Sequence, residues 1–123
     1  MLSANSAFYS AFGQQSLADM EALWGGAGGD AATVACAHPG QALLLGREAV
    51  LESWEKIFDG PAMSITPEVE CCRLLRGGQA AMVLCKERVG GVGAGALLAT
   101  NIFEKDEDGT WRIVQHQAGP IAT

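Results

Sequence analysis

The sequence predicts an α+β fold in which helices come first and a sheet follows. Apolar residues recur at helical spacing in the first half of the chain, they alternate at strand spacing from Met63 onward, and only short turns separate the predicted strands. A doubly wound parallel sheet would need a helix between successive strands, and the second half has no room for one. The 123 residues are expected to form one domain, residues 1–123.

Three helices are predicted in the first half. Each has a stripe of apolar residues on one side: Ala4, Phe8, Ala11 and Phe12 in the first, Leu17, Met20, Leu23 and Trp24 in the second, and Val50, Trp54, Ile57 and Phe58 in the third. Ser16, three residues before Asp19, is typical of a helix N-cap, so the second helix should begin there. Gly13, Gly25 and Gly60 are expected to end the three helices.

A short β segment is predicted within residues 33–40, and a second short strand or a bulge within residues 41–45. Beyond the third helix, strands are predicted near residues 63–75, 79–89, 95–104 and 111–118. The connections at 76–78, 90–93 and 108–109 are short enough for hairpins, so these strands should form an antiparallel meander. The glycine-rich segment Gly90–Gly95 is predicted to be such a turn, because a phosphate-binding loop would lead from a strand into a helix.

Charge and cysteine content exclude several partners and cofactors. Eight Lys and Arg against fourteen Asp and Glu give a net charge of −6, which repels nucleic-acid phosphates and anionic lipids. No nucleic-acid or membrane partner is expected, and the absence of a signal-peptide pattern predicts a cytoplasmic protein. Without a Cys-X-X-Cys or Cys/His ligand spacing, Cys36, Cys71, Cys72 and Cys85 are predicted to be buried free thiols, with no metal and no cofactor.

Four segments carry a family resemblance: His38-Pro39-Gly40, Gly46–Val50 with Trp54, Ala99–Phe103 and Asp108–Arg112. With this order of elements, the chain resembles the SnoaL-like branch of the NTF2-like superfamily over nearly its whole length. The resemblance implies an NTF2-like cone, in which a strongly curved antiparallel sheet wraps around the three helices and encloses an apolar cavity. It also implies a homodimer. Relatives include ketosteroid isomerases, polyketide cyclases, dehydratases, transport factors and kinase association domains, so no single reaction follows.

The chain departs from the pattern of the catalytic relatives. Their pocket Asp has no counterpart on a predicted strand, because Asp19, Asp59, Asp106 and Asp108 lie in predicted caps and turns. The one tyrosine, Tyr9, is on the first helix. The His-rich ending of many relatives is Gln115-His116-Gln117-Ala118-Gly119 here, which weakens an acid/base mechanism carried over from them.

His116 is the first candidate site residue, because an imidazole exchanges protons near neutral pH. Regular alternation groups the last strand into two faces: Arg112, Val114, His116 and Ala118 on one, and Trp111, Ile113, Gln115 and Gln117 on the other. The resemblance implies that the His116 face lines the cone. Trp111, Ile113 and Gln115 would then lie outside, where a partner sheet would pack. A surface or interface histidine is the alternative.

Four more residues complete the predicted ligand pocket: His38, Trp54, Cys85 and Asn101. Asn101 is a polar side chain on a strand face with Leu97, Ala99 and Phe103, so it either orients a ligand or bonds a neighbouring strand. Cys85 shares a face with Ala81, Val83 and Glu87 and would line the pocket or the core. Trp54 would form a wall of the pocket and His38 its rim. His38 and His116 could also bind a metal, but no Asp or Glu spacing completes such a site.

The favoured function is a homodimer, formed through the outer sheet face, that binds a small, largely apolar molecule with a carbonyl, hydroxyl or carboxylate end. Isomerase, cyclase or hydrolase-type activity could accompany binding. The alternative is a non-catalytic dimerisation or association module. A third reading is an enzyme whose acid/base residue is Glu87 or Glu70. A closed, filled cone would favour association, and an open cone with convergent polar groups would favour ligand binding.

Overall fold

The computed structural model describes residues 1–27, 34–90 and 95–121. Its helices are α1 (Leu2–Gln14), α2 (Leu17–Leu23) and α3 (Arg47–Phe58), and its strands are β1 (Ala35–Ala37), β2 (Leu44–Leu45), β3 (Ile65–Leu75), β4 (Ala80–Val89), β5 (Ala96–Lys105) and β6 (Trp111–Pro120). The four long strands follow the helices, which confirms the predicted α+β class. Of the predicted Gly90–Gly95 turn, residues 91–94 lie outside the described residues.

The junction between α1 and α2 differs from the prediction by two residues. Gly13 lies inside α1, and Gln15 takes the left-handed cap position with a φ of 54°. The backbone N–H groups of Gln15 and Ser16 donate to carbonyls in the last turn of α1, at 3.2 and 3.0 Å. Ser16 Oγ accepts the backbone N–H of Asp19 at 3.2 Å, which confirms the predicted N-cap. Because α2 starts directly after Ser16, the chain reverses at Gln15 rather than at Gly13.

The sheet has the strand order β2-β1-β6-β5-β4-β3 and is mixed rather than wholly antiparallel. β1 runs parallel to β6, with Cys36 opposite His116, and the other pairings of the described strands are antiparallel. A hairpin makes its two strands antiparallel, but α3 and the meander separate β1 from β6, so no turn sets their relative direction. The antiparallel expectation was therefore wrong for this one pair.

A β-bulge in β6 changes which residues face the helices. Ile102 pairs with Gln115 and Phe103 with Ile113, so Val114 has no partner on β5. The extra residue resets the alternation, and Ile113 and His116 both face the core, 0% and 1% exposed. The prediction that Ile113 lies on the outer face was wrong for this reason.

The side chains of Arg112 and Trp111 also lie elsewhere than regular alternation predicts. The Arg112 guanidinium donates to the carbonyl of Ala22 in α2 and pairs with Asp106 at 2.9 Å, so it does not line the interior. Trp111 is half-buried and packs against the core. The apolar side chains of the outer sheet face are instead Met82, Leu84, Leu98 and Ile102, which alternation places opposite the buried residues of β4 and β5.

The core lies between the helices and the inner face of the sheet. Its largest fully buried apolar side chains are Trp24, Trp54, Phe8, Phe103, Met20 and Ile113. This confirms the predicted inner positions of Trp24 and Trp54. Among the described residues, no helix combines the length and the apolar character needed to cross a bilayer.

The cysteines divide into two pairs. All four are free thiols, and Cys36 and Cys85 are buried as predicted. Cys71 and Cys72 are exposed, so the burial prediction was wrong for them. They lie on β3, which is an edge strand with one sheet neighbour and mostly exposed side chains.

Candidate functional site

Six polar side chains come together between α1 and the inner face of the sheet. We call them the interior cluster: Asn5 and Tyr9 from α1, Cys85 and Glu87 from β4, Asn101 from β5 and His116 from β6. All six are buried, and Tyr9, at 4%, is the most exposed. Strand pairing places Asn101 directly between Val83 on β4 and His116 on β6. Alternation along β4 then puts Cys85 and Glu87 on the same inner face.

Asn101 is the centre of this cluster. Its Nδ2 donates to Asn5 Oδ1 at 3.0 Å and to Tyr9 Oη at 3.1 Å. Its Oδ1 lies 2.6 Å from His116 Nδ1. Asn5 Nδ2 in turn contacts Cys85 Sγ at 3.4 Å. Both amide donors and the amide oxygen of Asn101 therefore have partners, which is what a fully buried amide requires.

The hydrogen bonds of Asn101 determine the tautomer of His116. Because both Nδ2 protons of Asn101 are used elsewhere, the contact at 2.6 Å joins its acceptor oxygen to a protonated His116 Nδ1. Burial, followed by the nearby His38, lowers the pKa of His116 from 6.5 to about 3. The imidazole is therefore neutral at pH 7, and its Nε2 carries a lone pair.

Glu87 is the buried carboxyl of the cluster, 2% exposed. Tyr9 Oη donates to Glu87 Oε2 at 2.6 Å. Burial raises the pKa of Glu87, and the bond from Tyr9 partly opposes that rise. Burial and the neighbouring Glu87 both raise the pKa of Tyr9, so the phenol keeps its proton. A continuous chain of hydrogen bonds thus runs from Glu87 through Tyr9 and Asn101 to His116.

His38 and Trp54 form a second group beside the cluster. His38 Nε2 lies 2.9 Å from Ser53 Oγ, and Ser53 Oγ donates its proton to the carbonyl of Val50 at 2.6 Å. His38 Nε2 is therefore the donor to Ser53. The His38 ring is 4.7 Å from the Trp54 ring and 6.3 Å from that of His116, between centroids. Burial lowers the pKa of His38 as well.

All five residues of the predicted pocket are inside the molecule: His38, Trp54, Cys85, Asn101 and His116. His38, predicted at the rim, is 5% exposed and packs edge-on against Trp54. The sequence interpretation did not assign Asn5 or Tyr9 to the site. Their spacing of four residues, beside Phe8 on the first helix, was the available signal, because it puts two polar groups on the side that packs.

The interior is closed in this structure. The centre is filled by aromatic rings, with Phe8 4.9 Å from the His116 ring and 5.6 Å from the Trp54 ring, and Phe12 4.8 Å from the Trp54 ring. Two surface pockets of about 790 and 460 Å³ are lined by other residues than the five predicted ones. Within the described ranges, no three His, Cys, Asp or Glu side chains are grouped to hold a metal ion.

The element order and the inner-face geometry can be compared with known families. The sequence matches the model of the SnoaL-like domain over residues 1–123. The chain belongs to the SnoaL-like family. A comparison of this SnoaL-like chain with curated proteins found no match.

Solved structures with the same fold carry different functional descriptions. A Thiobacillus denitrificans protein described by name as a calcium/calmodulin-dependent protein kinase type II association domain is 34% identical, with a TM-score of 0.82, covering 97% of this chain and 93% of that one. A Streptomyces avermitilis protein described by name as a dehydratase of the NTF2-like family is 30% identical, with a TM-score of 0.78 and coverages of 98% and 92%. A ketosteroid isomerase-like protein from Erwinia carotovora atroseptica is 18% identical, with a TM-score of 0.69 and coverages of 98% and 93%. These neighbours confirm the NTF2-like cone of the SnoaL-like domain.

Proposed function

We propose that this SnoaL-like domain binds a small, largely apolar molecule in the cone interior, with its hydrogen-bonding end at the interior cluster. The observation that supports it is the convergence of six buried polar side chains from four elements on one point of an otherwise apolar core. A core needed only for stability is usually apolar, since each buried polar group costs free energy unless it is bonded. Convergent polar groups in an apolar interior are typical of ligand sites.

An unpaired donor supports the same proposal. Trp54 is fully buried, and its Nε1–H, like that of Trp24, has no hydrogen-bond partner among the described residues. A buried N–H without a partner costs about 1–3 kcal/mol, which a ligand acceptor would recover. Binding requires the aromatic side chains Phe8, Phe12 and Trp54 to move aside, because they fill the space next to the cluster.

The cluster also has the groups for proton transfer to a bound molecule. His116 is neutral with an acceptor lone pair at Nε2, and Glu87 is a buried carboxyl whose pKa is raised by burial. In the closed interior His116 is a weak base, so isomerase, cyclase or hydrolase-type steps require a bound molecule that raises the pKa of this imidazole toward neutrality. The dehydratase and ketosteroid isomerase-like descriptions of two structural neighbours are consistent with such chemistry.

Association is the second candidate function, and two observations favour it. The interior is closed, and the 34% identical neighbour is described by name as a kinase association domain. In this reading the outer sheet face, with Met82, Leu84, Leu98 and Ile102, contacts a second copy of the chain, and the interior cluster serves stability alone.

A thermal-shift screen of small aromatic and alicyclic compounds tests ligand binding. Compounds that raise the Tm of the wild type should lose most of that effect in Asn101→Leu, because the variant removes the centre of the cluster. Gln117→Leu is the matched control, an amide-to-leucine change at an exposed position of β6, and it should keep the full shift. Unchanged affinities in Asn101→Leu would contradict the proposal and favour association.

A further inference from the structure

The interior carries an acidic group without a basic partner. Glu87 is the one buried Asp or Glu among the described residues, and none of the buried residues there is Lys or Arg. The four ion pairs of the described ranges all join surface side chains, and none includes Glu87. Arg88, the next residue, points to the other face and pairs with Glu68 at 2.7 Å.

One hydrogen bond is little compensation for a buried carboxylate. Its two oxygens can accept several donors, and a buried charge is ordinarily paired with an opposite charge or held by two or three N–H groups. Glu87 accepts one hydrogen bond from a described side chain, and its donor is the Tyr9 hydroxyl. The two buried imidazoles, His38 and His116, are neutral at pH 7 because of their burial. Within residues 1–27, 34–90 and 95–121, Glu87 thus has one side-chain donor and no cationic partner, and a ligand can supply a positive charge or a further donor.

Aromatic rings pack around Tyr9, the residue that donates to this carboxyl. Phe8 packs against Tyr9 with 4.9 Å between ring centroids, and it links Tyr9 to Trp54 and Phe12. Ring faces attract ammonium groups, and this attraction is strongest where the cation is removed from water. His116 Nε2 adds a neutral acceptor for an N–H group. Carboxyl, rings and lone pair all favour the same kind of ligand group.

We propose that the ligand of the cone interior is an amine: a small, largely apolar molecule whose basic nitrogen pairs with Glu87 and whose apolar part lies among Phe8, Phe12 and Trp54. This inference rests on the proposed function and narrows it. A carboxylate of the same shape should be rejected, because it would place a second negative charge beside Glu87. An alcohol should bind, but more weakly, because it brings no charge.

Three probes with one carbon skeleton test the inference: 2-phenylethylamine, 2-phenylethanol and phenylacetate, each titrated into the wild-type chain by calorimetry. We expect the amine to bind about tenfold or more tighter than the alcohol, as for a charge-assisted hydrogen bond replacing a neutral one, and phenylacetate to bind weakest. Glu87→Gln should remove the preference for the amine. Glu68→Gln, which removes the same charge from the surface of the neighbouring strand, should keep it.

The outcomes separate this inference from the proposed function. Binding of the alcohol or of phenylacetate as tight as that of the amine would overturn the amine assignment and leave interior binding standing. Equal loss of preference in both variants would also overturn it, because surface charge alone would then attract the amine. Binding of none of the three probes would contradict both proposals.

A second measurement needs no folded Glu87 variant. In the wild type, the pH midpoint of the carbon-13 titration of the Glu87 side-chain carboxyl should fall when the amine is added, because an ammonium group stabilises the ionised form, and it should stay in place with the alcohol. The same fall in Tyr9→Phe, which keeps the carboxyl, would support direct pairing. An unmoved midpoint at saturating amine would overturn the inference.

Discussion

Asn101 decides which groups of the interior can carry a charge. It gives both amide protons to Asn5 and Tyr9, so its oxygen is left to accept from His116. A protonated His116 would keep that bond but would place an unpaired charge in a fully buried position. The neutral form is therefore strongly preferred, and the buried histidines link folding to pH.

We predict that acidification destabilises the domain through His116. Its pKa is about 3 in the folded chain and 6.5 ordinarily, so between these values the unfolded chain binds the extra proton and stability falls as pH falls. From pH 7 to pH 5, this one group should cost about 2 kcal/mol of unfolding free energy. Urea denaturation at the two pH values measures the loss.

The groups around His116 set the controls for this prediction. His38 faces it from the end of β1, Asn101 from β5, Phe8 from α1 and Trp54 from α3. His38, whose pKa is also lowered, adds to the acid sensitivity. His116→Asn should lose most of the difference between pH 7 and pH 5. An unchanged difference in this variant would contradict the assignment to His116.

Glu87 acts in the opposite direction. Its folded pKa is raised above 4.5, so below that raised value the folded chain binds the extra proton and stability rises as pH falls. Between 4.5 and that raised pKa, it therefore offsets part of the histidine effect. Replacing Glu87 by Gln removes the offset and should make the loss on acidification steeper.

At the scale of elements, α2 depends on a side chain from α3. Arg47 Nη1 donates to the carbonyls of Trp24 and Gly25 at 2.5 and 3.1 Å, and Arg47 Nη2 donates to that of Glu21 at 2.8 Å. These carbonyls lie at the C-terminal end of α2, where helical carbonyls lack partners within the helix. A helix of seven residues is marginal alone. The guanidinium thus joins α2 to the start of α3.

We predict that Arg47→Met lowers the unfolding free energy by about 1–3 kcal/mol, because two part-buried carbonyls and an exposed one lose a charged donor. Arg47→Lys should recover only part of this loss, since an ammonium lacks the planar fork that reaches three carbonyls. Urea denaturation gives the free energies, and hydrogen exchange should show faster exchange for α2 amides. Arg73→Met on the exposed part of β3 is the control. Equal stability of Arg47→Met and the control would contradict this role.

The helices and the meander were predictable because their signals are local. Stripes such as Val50, Trp54 and Phe58 and the N-cap Ser16 depend on neighbours a few residues away. The left-handed Gln15, the parallel β1–β6 pair and the bulge at Val114 were not predictable in this way. They depend on how separate segments of the chain pack against each other. Helix and strand propensities contain no information about this packing.

The candidate site was predictable in part for the same reason. Asn101 and His116 stand out as polar residues within apolar strands, and pairing places them opposite each other. Tyr9 was passed over because its partners, Glu87 and Asn101, are more than seventy residues away along the chain. Only the packing of α1 on the sheet brings the phenol to the carboxyl.

At the scale of the whole molecule, the outer sheet face predicts self-association. Met82, Leu84, Leu98 and Ile102 form an apolar row across β4 and β5, and Leu98 is 37% exposed. Apolar patches of this kind are commonly covered by a partner, and cyclic homodimers are the commonest assembly. We therefore predict a homodimer, with light scattering giving about twice the chain mass of 12.8 kDa.

Two leucine variants test which surface forms the dimer. Leu84→Glu should give monomers, because it places a charge in the middle of the apolar row, between the Met82–Ile102 pair and Leu98. Leu43→Glu changes a leucine that is 63% exposed and lies before β2, away from this row, so it should remain dimeric. A stable wild-type mass near that of one chain would exclude the dimer.

The bulge at Val114 divides β6 into two parts, each with its own inside–outside alternation of side chains. Residues before it keep one inside–outside phase and residues after it keep the other, so Ile113 and His116 can both be buried although they are an odd number of positions apart. Deleting Val114 would leave one continuous alternation along β6. The buried side chains of either the Ile113 half or the His116 half would then point toward water. Point substitutions at Val114 leave the phase intact. The identity of this residue is therefore freer to change than its presence, and natural length variation in this family should avoid the middle of β6.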